Sequence, residues 1–225
     1  ISTGGAVSNT GIALSILGIG TRLMGKVGKD YFGDIVMKIL EERGMGGGVK
    51  ASGLASTSYS IVISPPSIDR IFLHEPGVND LFDFEDIDFE IVGRSRLFHF
   101  GYPTAMRKMY MNDGNELVRI FEKVKTYDTT TSLDLSLTDP DSEPGKVNWR
   151  NILKRVLPWV DIFIPSMEEI FCILRNREYL ELCKATQGKD MMDSVDMSLL
   201  QELGEELIGL GVKIAVIKCG RKGYY

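Results

Sequence analysis

The residues with the clearest chemical potential sit at the start of the chain. Gly4 and Gly5 lead into an apolar-periodic segment, and Asn9 follows one turn later. Glycine lets a backbone come close to a ligand, and the first turn of a helix offers unpaired N–H groups. The Asn9 amide supplies a donor and an acceptor, a set suited to neighbouring hydroxyls of a sugar. The same residues also describe a plain glycine turn with a solvent-facing asparagine, and spacing alone does not separate the two. A dinucleotide site through Gly18 and Gly20 is excluded by order, because these glycines follow a helix and precede a strand, the reverse of that fingerprint.

Other ligand types are scarce. There are two histidines, His74 and His99, and three cysteines with no CxxC pair, so a zinc site has few donors to draw on. His99 reads as a strand histidine satisfied by packing and one hydrogen bond, and His74 as exposed. A net charge of −5 gives no electrostatic reason to expect nucleic acid or an anionic membrane as partner. No apolar run is long enough to span a bilayer, and Ile1 to Gly5 lacks the pattern of a signal peptide. The expectation is a reduced, cytoplasmic protein.

The elements that must position these groups alternate. The periodicity predicts helices over residues 6–17, 30–43, 115–125, 149–157, 167–174 and 198–210. Short apolar strands are predicted over 21–27, 96–100, 132–135, 160–164 and 212–218. Such alternation indicates an α/β fold with a mostly parallel sheet covered on both faces. Residues 46–80 break the pattern: they are rich in glycine, serine and β-branched residues, with strands over 59–64 and 70–75 joined by residues 65–69. This predicts a β-rich lid (46–80) inserted in a main domain (1–45 and 81–225), with residues 184–196 as a surface loop. The exposed edges of the lid strands suggest a homodimer through the lid.

The order of short motifs carries a resemblance. Gly4-Gly5 with Asn9, then Gly25-Lys-Val-Gly28-Lys-Asp30-Tyr-Phe-Gly33, then Leu40-Glu-Glu-Arg-Gly44 closely resemble the N-terminal signature of the PfkB/ribokinase family of carbohydrate kinases. The resemblance implies a ribokinase-like three-layer α/β/α domain with a small β lid over the sugar. It also implies ATP-dependent phosphorylation of the primary hydroxyl of a small sugar, with Mg2+. The weaker likeness of residues 133–141 is to fructokinases. Two alternatives stay open: a nucleoside kinase of the same family, and a non-catalytic sugar-binding or regulatory protein on this fold.

Further residues take roles only through this resemblance. Gly4, Gly5, Asn9 and Asn79, the last in a Pro76-Gly-Val-Asn79 turn, would bind substrate. Asp134 and Glu169 would lie near phosphate and metal, Glu169 indirectly. Ser166 stands where the family carries an asparagine, and it has no amide and a shorter reach. Glu169 also reads as an ordinary acid in the first turn of a helix. Lys218 and Gly220 would open the nucleotide site, with Lys218 where the family has a threonine; it either faces a phosphate or is a solvated strand end. The Gly28-x-Asp30-x-x-Gly33 block reads as structural. The family's catalytic aspartate lies in a Gly-Ala-Gly-Asp segment. No Gly-x-Gly-Asp occurs in these 225 residues, so the catalytic base is expected beyond Tyr225, in a protein longer at both ends.

Overall fold

A computed structural model describes residues 2–65, 71–186 and 191–225. The first third holds helix α1 (Gly5–Ile16), strand β1 (Gly25–Gly28), helix α2 (Tyr31–Glu41), strand β2 (Val49–Ser52) and the strands β3 (Tyr59–Ile63) and β4 (Ile71–Glu75). Strands β1 and β2 pair in parallel, while β3 and β4 form a separate antiparallel pair. The segment 46–80 therefore contains two unlike parts: a strand beside β1, and a hairpin. Of the predicted link between the hairpin strands, residues 66–69 lie outside the described residues.

The remainder alternates helix and strand: α3 (Phe89–Gly93), β5 (Leu97–Gly101), α4 (Arg107–Tyr110), α5 (Asn115–Val124), β6 (Thr130–Asp134), α6 (Trp149–Val156), β7 (Ile162–Phe163), α7 (Met167–Leu174), α8 (Asn176–Thr186), α9 (Met197–Gly209) and β8 (Ile214–Ala215). Strands β5, β6, β7 and β8 line up in that order, all parallel. Helices flank this sheet, as the alternating sequence predicts.

The helices form because their apolar residues recur on one face. In α5, Leu117, Val118, Ile120, Phe121 and Val124 are buried. In α6, Trp149, Ile152, Leu153 and Val156 are buried while Arg150 and Lys154 face outward. The Phe121 ring packs edge-on against Phe98 and Phe100 of β5, with centroids 5.9 and 6.2 Å apart. Strand β6 is buried on both faces, which brings the polar Thr131 inside. Its hydroxyl is satisfied by donation to the Trp159 carbonyl at 2.8 Å.

Two expectations need correction. The strands are shorter than predicted: the apolar stretches 160–164 and 212–218 keep only Ile162–Phe163 and Ile214–Ala215 in the regular ladder. The predicted loop at 184–196 is partly helical, since α8 runs to Thr186 and a short 3₁₀ turn covers Met191–Asp193. Met191 and Met192 are buried there, so this polar stretch is anchored by two apolar side chains; residues 187–190 lie outside the described residues.

The Gly28–Gly33 block ties the hairpin to α2. Asp30 caps α2, accepting from the Gly33 N–H at 2.8 Å, and also accepts from the Thr57 N–H and hydroxyl, each at 2.7 Å. The Thr57 hydroxyl in turn accepts from the Gly28 N–H at 2.8 Å. A Cβ on Gly33 would collide with the Gly28 carbonyl, and one on Gly28 with the Thr57 backbone. These N–H donors, Thr57 first and Gly33 next, hold the Asp30 carboxyl below its ordinary range. The other root of the hairpin is held by the Val78 N–H, which donates to the Ser56 carbonyl at 2.8 Å.

Candidate active site

A cavity of about 1300 Å³ lies between α1, β1, the root of the hairpin and β5. Gly4, Gly5 and Asn79 line it, together with Thr57, Ser58, His74, His99 and Tyr102. Gly5 has φ +73°, a left-handed conformation that favours glycine, whereas a Cβ there would meet nothing. Gly5 is thus explained by backbone shape, while Gly4 is extended and neither its conformation nor crowding calls for glycine. Asn9 is exposed on α1 and is not among the residues of the cavity wall. His74 is exposed, and its Nδ1 lies 2.9 Å from the hydroxyl of Ser60, directly across the hairpin.

The second group of residues gathers beyond the carboxyl ends of the parallel strands, where open α/β sheets place their ligands. Lys218 Nζ sits 2.6 Å from Asp134 Oδ1. The same oxygen accepts from the Leu135 N–H at 2.8 Å. Lys218 follows β8, and its carbonyl accepts from the Met167 N–H at 2.9 Å, which docks the start of α7 beside it. Lys218 is therefore neither a plain solvated end nor an unpaired cation: its charge is shared with Asp134, and its side chain stays 40% exposed.

Glu169 is only 8% exposed. It forms a capping box with Ser166: the Ser166 N–H donates to Glu169 Oε2 at 2.6 Å, and the Glu169 N–H donates to Ser166 Oγ at 3.2 Å. Burial pushes its carboxyl up, against the pull of the Ser166 N–H and Lys218. Ser166 does here what a short side chain does well, which is to cap. Gly220 adopts φ +55° in a tight turn after Cys219, and no other group crowds it.

His99 bridges the two groups of residues. It lines the cavity, and its Nδ1 lies 3.0 Å from Ser132 Oγ on β6. Burial lowers its basicity, with Asp134 acting in the other direction. Tyr102, next along from β5, donates its N–H to the Asp134 carbonyl at 3.2 Å and so joins the cavity wall to the charged pair. Sequence reasoning passed over Tyr102 and Thr57. Neither belongs to a spaced motif, and Thr57 gains its part only through Asp30, 27 residues away.

Among the described residues, no group of three or more His, Cys, Asp or Glu side chains is placed to hold a metal ion. Both nearby carboxylates already accept from protein donors, Asp134 through Oδ1 and Glu169 through Oε2. All three cysteines are free thiols. No helix among the described residues is long and apolar enough to cross a membrane.

Comparison with known proteins agrees with this architecture. Fructokinase-1 of Zea mays is 34% identical over 101 residues, 44% of this chain and 31% of that protein. An uncharacterized sugar kinase of Archaeoglobus fulgidus is 27% identical over 214 residues, 94% of this chain and 71% of that protein. The solved structure of a fructokinase with bound ATP from Xylella fastidiosa superposes with a TM-score of 0.71 at 18% identity, covering 99% of this chain and 63% of that one. At that identity the likeness establishes the ribokinase-like fold. The matched stretch thus covers less than a third of the maize relative, and the chain covers under two thirds of the Xylella structure. The family pattern described as pfkB family carbohydrate kinase matches residues 1–225, and the chain belongs to that family.

Proposed function

We propose that the whole protein transfers the terminal phosphoryl group of ATP to the primary hydroxyl of a small sugar. The observation that carries this reading is the junction of a wide, partly polar cavity with a charged group at the strand ends, made by the Tyr102 N–H and the Asp134 carbonyl. In this reading the sugar lies against Gly4, Gly5 and Asn79, and Asn9 stands outside the wall. The phosphates lie toward Asp134, Lys218 and Gly220, and Glu169 shapes the start of α7 beside them. Magnesium would spread the charge of the transferred group, reached through water from Asp134 and Glu169. The names of the relatives, fructokinases among them, support a ketose or a similar small sugar as acceptor.

A second reading is sugar binding without turnover. It is favoured by one observation: Asp134 and Glu169 are both engaged by protein donors. We also propose that the β3–β4 hairpin pairs with a second copy of the protein. Its Ile63, Ile71 and Leu73 are about half exposed and lie outside the cavity wall. A lone two-stranded sheet with such a surface is marginal in water.

The test is to incubate the full-length protein with ATP and magnesium and measure ADP over a panel of hexoses, pentoses and nucleosides. Turnover on a sugar is the expected result. Sugar binding without ADP release would favour the second reading, and turnover confined to nucleosides would replace the acceptor.

A further inference from the structure

Tyr102 has a backbone conformation that its residue type resists. It sits at φ 61°, ψ 49°, in the left-handed region. The other described non-glycine residues there are Asn112 and Asp113, types that tolerate it; a bulky tyrosine does not. Pro103 follows, and a proline pushes the residue before it toward extended backbone. The conformation is thus disfavoured twice.

The backbone alone does not call for a tyrosine. The Tyr102 N–H donates to the Asp134 carbonyl, and the Tyr102 carbonyl accepts from the Ala105 N–H at 2.9 Å. A glycine would make both bonds without strain. Tyr102 lines the cavity, and its hydroxyl makes no hydrogen bond among the described residues. Burial raises the phenol above its ordinary value, with Asp134 and Glu169 adding to the rise and Lys218 opposing it. The group is a neutral donor at physiological pH. Strain of this kind, held in place by neighbours, gathers where a side chain must meet a ligand.

We propose that Tyr102 is a substrate-binding residue whose phenol hydrogen-bonds a sugar hydroxyl at the edge of the cavity where the Tyr102 N–H bonds the Asp134 carbonyl. The assignment rests on the sugar reading of the cavity, and it goes beyond that reading by naming the side chain that meets the sugar at that edge.

The test is calorimetric titration of the full-length protein with D-fructose, D-ribose and their singly deoxygenated analogues. Tyr102→Phe weakens binding of the preferred parent sugar by about fivefold to tenfold, the worth of one net hydrogen bond. It leaves unchanged the affinity for the analogue that lacks the partner hydroxyl. Tyr102→Gly keeps the turn with a relaxed backbone and weakens the parent sugar at least as much. Equal affinity in wild type and Tyr102→Phe, or the same loss for every analogue, overturns the assignment of Tyr102 alone. Failure of the wild type to bind any of these sugars overturns the sugar reading and the assignment with it.

Discussion

The Lys218 ammonium lies 2.6 Å from Oδ1 of Asp134, 84 residues earlier in the chain. The pair is asymmetric, since the aspartate side chain is 15% exposed and the lysine 40%. Lys218→Met leaves the less exposed partner with the Leu135 N–H as its one donor among the described residues. The expected loss of stability is about 1 kcal/mol, near the upper end for partly exposed pairs. Urea denaturation of Lys218→Met, Asp134→Asn and the double variant measures the coupling. A double variant that loses the sum of the two single losses would show that the pair has no coupling.

Asp30 is predicted to hold the hairpin as well as the helix. Asp30→Ala removes the α2 cap and both bonds to Thr57, with an expected cost of about 1–2 kcal/mol. Backbone amide exchange should rise at Thr57 and around Val78, beyond the helix itself. Faster exchange in α2 only would reduce Asp30 to a simple cap. Gly33→Ala should be at least as damaging, because its Cβ meets the Gly28 carbonyl.

Asp161 predicts a pH dependence of stability. Burial alone would raise its carboxyl, but Lys125, Lys213 and Thr131 donate to it and hold it well below the usual carboxylate range. Its pKa is lower in the folded than in the unfolded state. Its contribution is therefore complete above about pH 4, the unfolded carboxylate value, and is lost as the pH falls further. Thermal melts of wild type and Asp161→Asn between pH 7 and pH 2.5 should converge toward the acid end. A constant gap across that range would contradict the account.

The exposed hairpin surface predicts self-association. Light scattering of the full-length protein should give a dimer, and Ile71→Lys with Leu73→Lys should give a monomer of unchanged secondary structure. A wild-type monomer at micromolar concentration would remove the hairpin as an interface.

Much of the fold was legible because it is local. The faces of α5 and α6 follow from the spacing of apolar residues, and the Asp30 cap follows from a short polar residue before a periodic segment. The motif order from Gly4 to Gly44 identified the family, since close helix–turn packing leaves little choice at positions such as Gly33. The strand limits were less legible. An apolar stretch such as 212–218 fits any buried extended segment, and only the neighbours' hydrogen-bond partners decide where the ladder stops. Helix α8 was missed because Asn176–Thr186 is largely polar, and it is ordered by packing against α7, including the Phe171–Tyr179 ring pair with centroids 6.0 Å apart.

The sequence by itself determined the α/β class, the family, and the presence of a glycine turn and two acids in the order of the family's motifs, with a lysine where the family has a threonine. Those are properties of residue type and spacing along the chain. Tertiary structure alone decided that Lys218 meets Asp134, that Ser166 and Glu169 cap one another, that Asn9 stands outside the cavity wall, and that Tyr102 takes a strained position on it. Each depends on which strand ends lie side by side, and parallel strands joined through helices bring together residues whose separation in the chain says nothing of their separation in space.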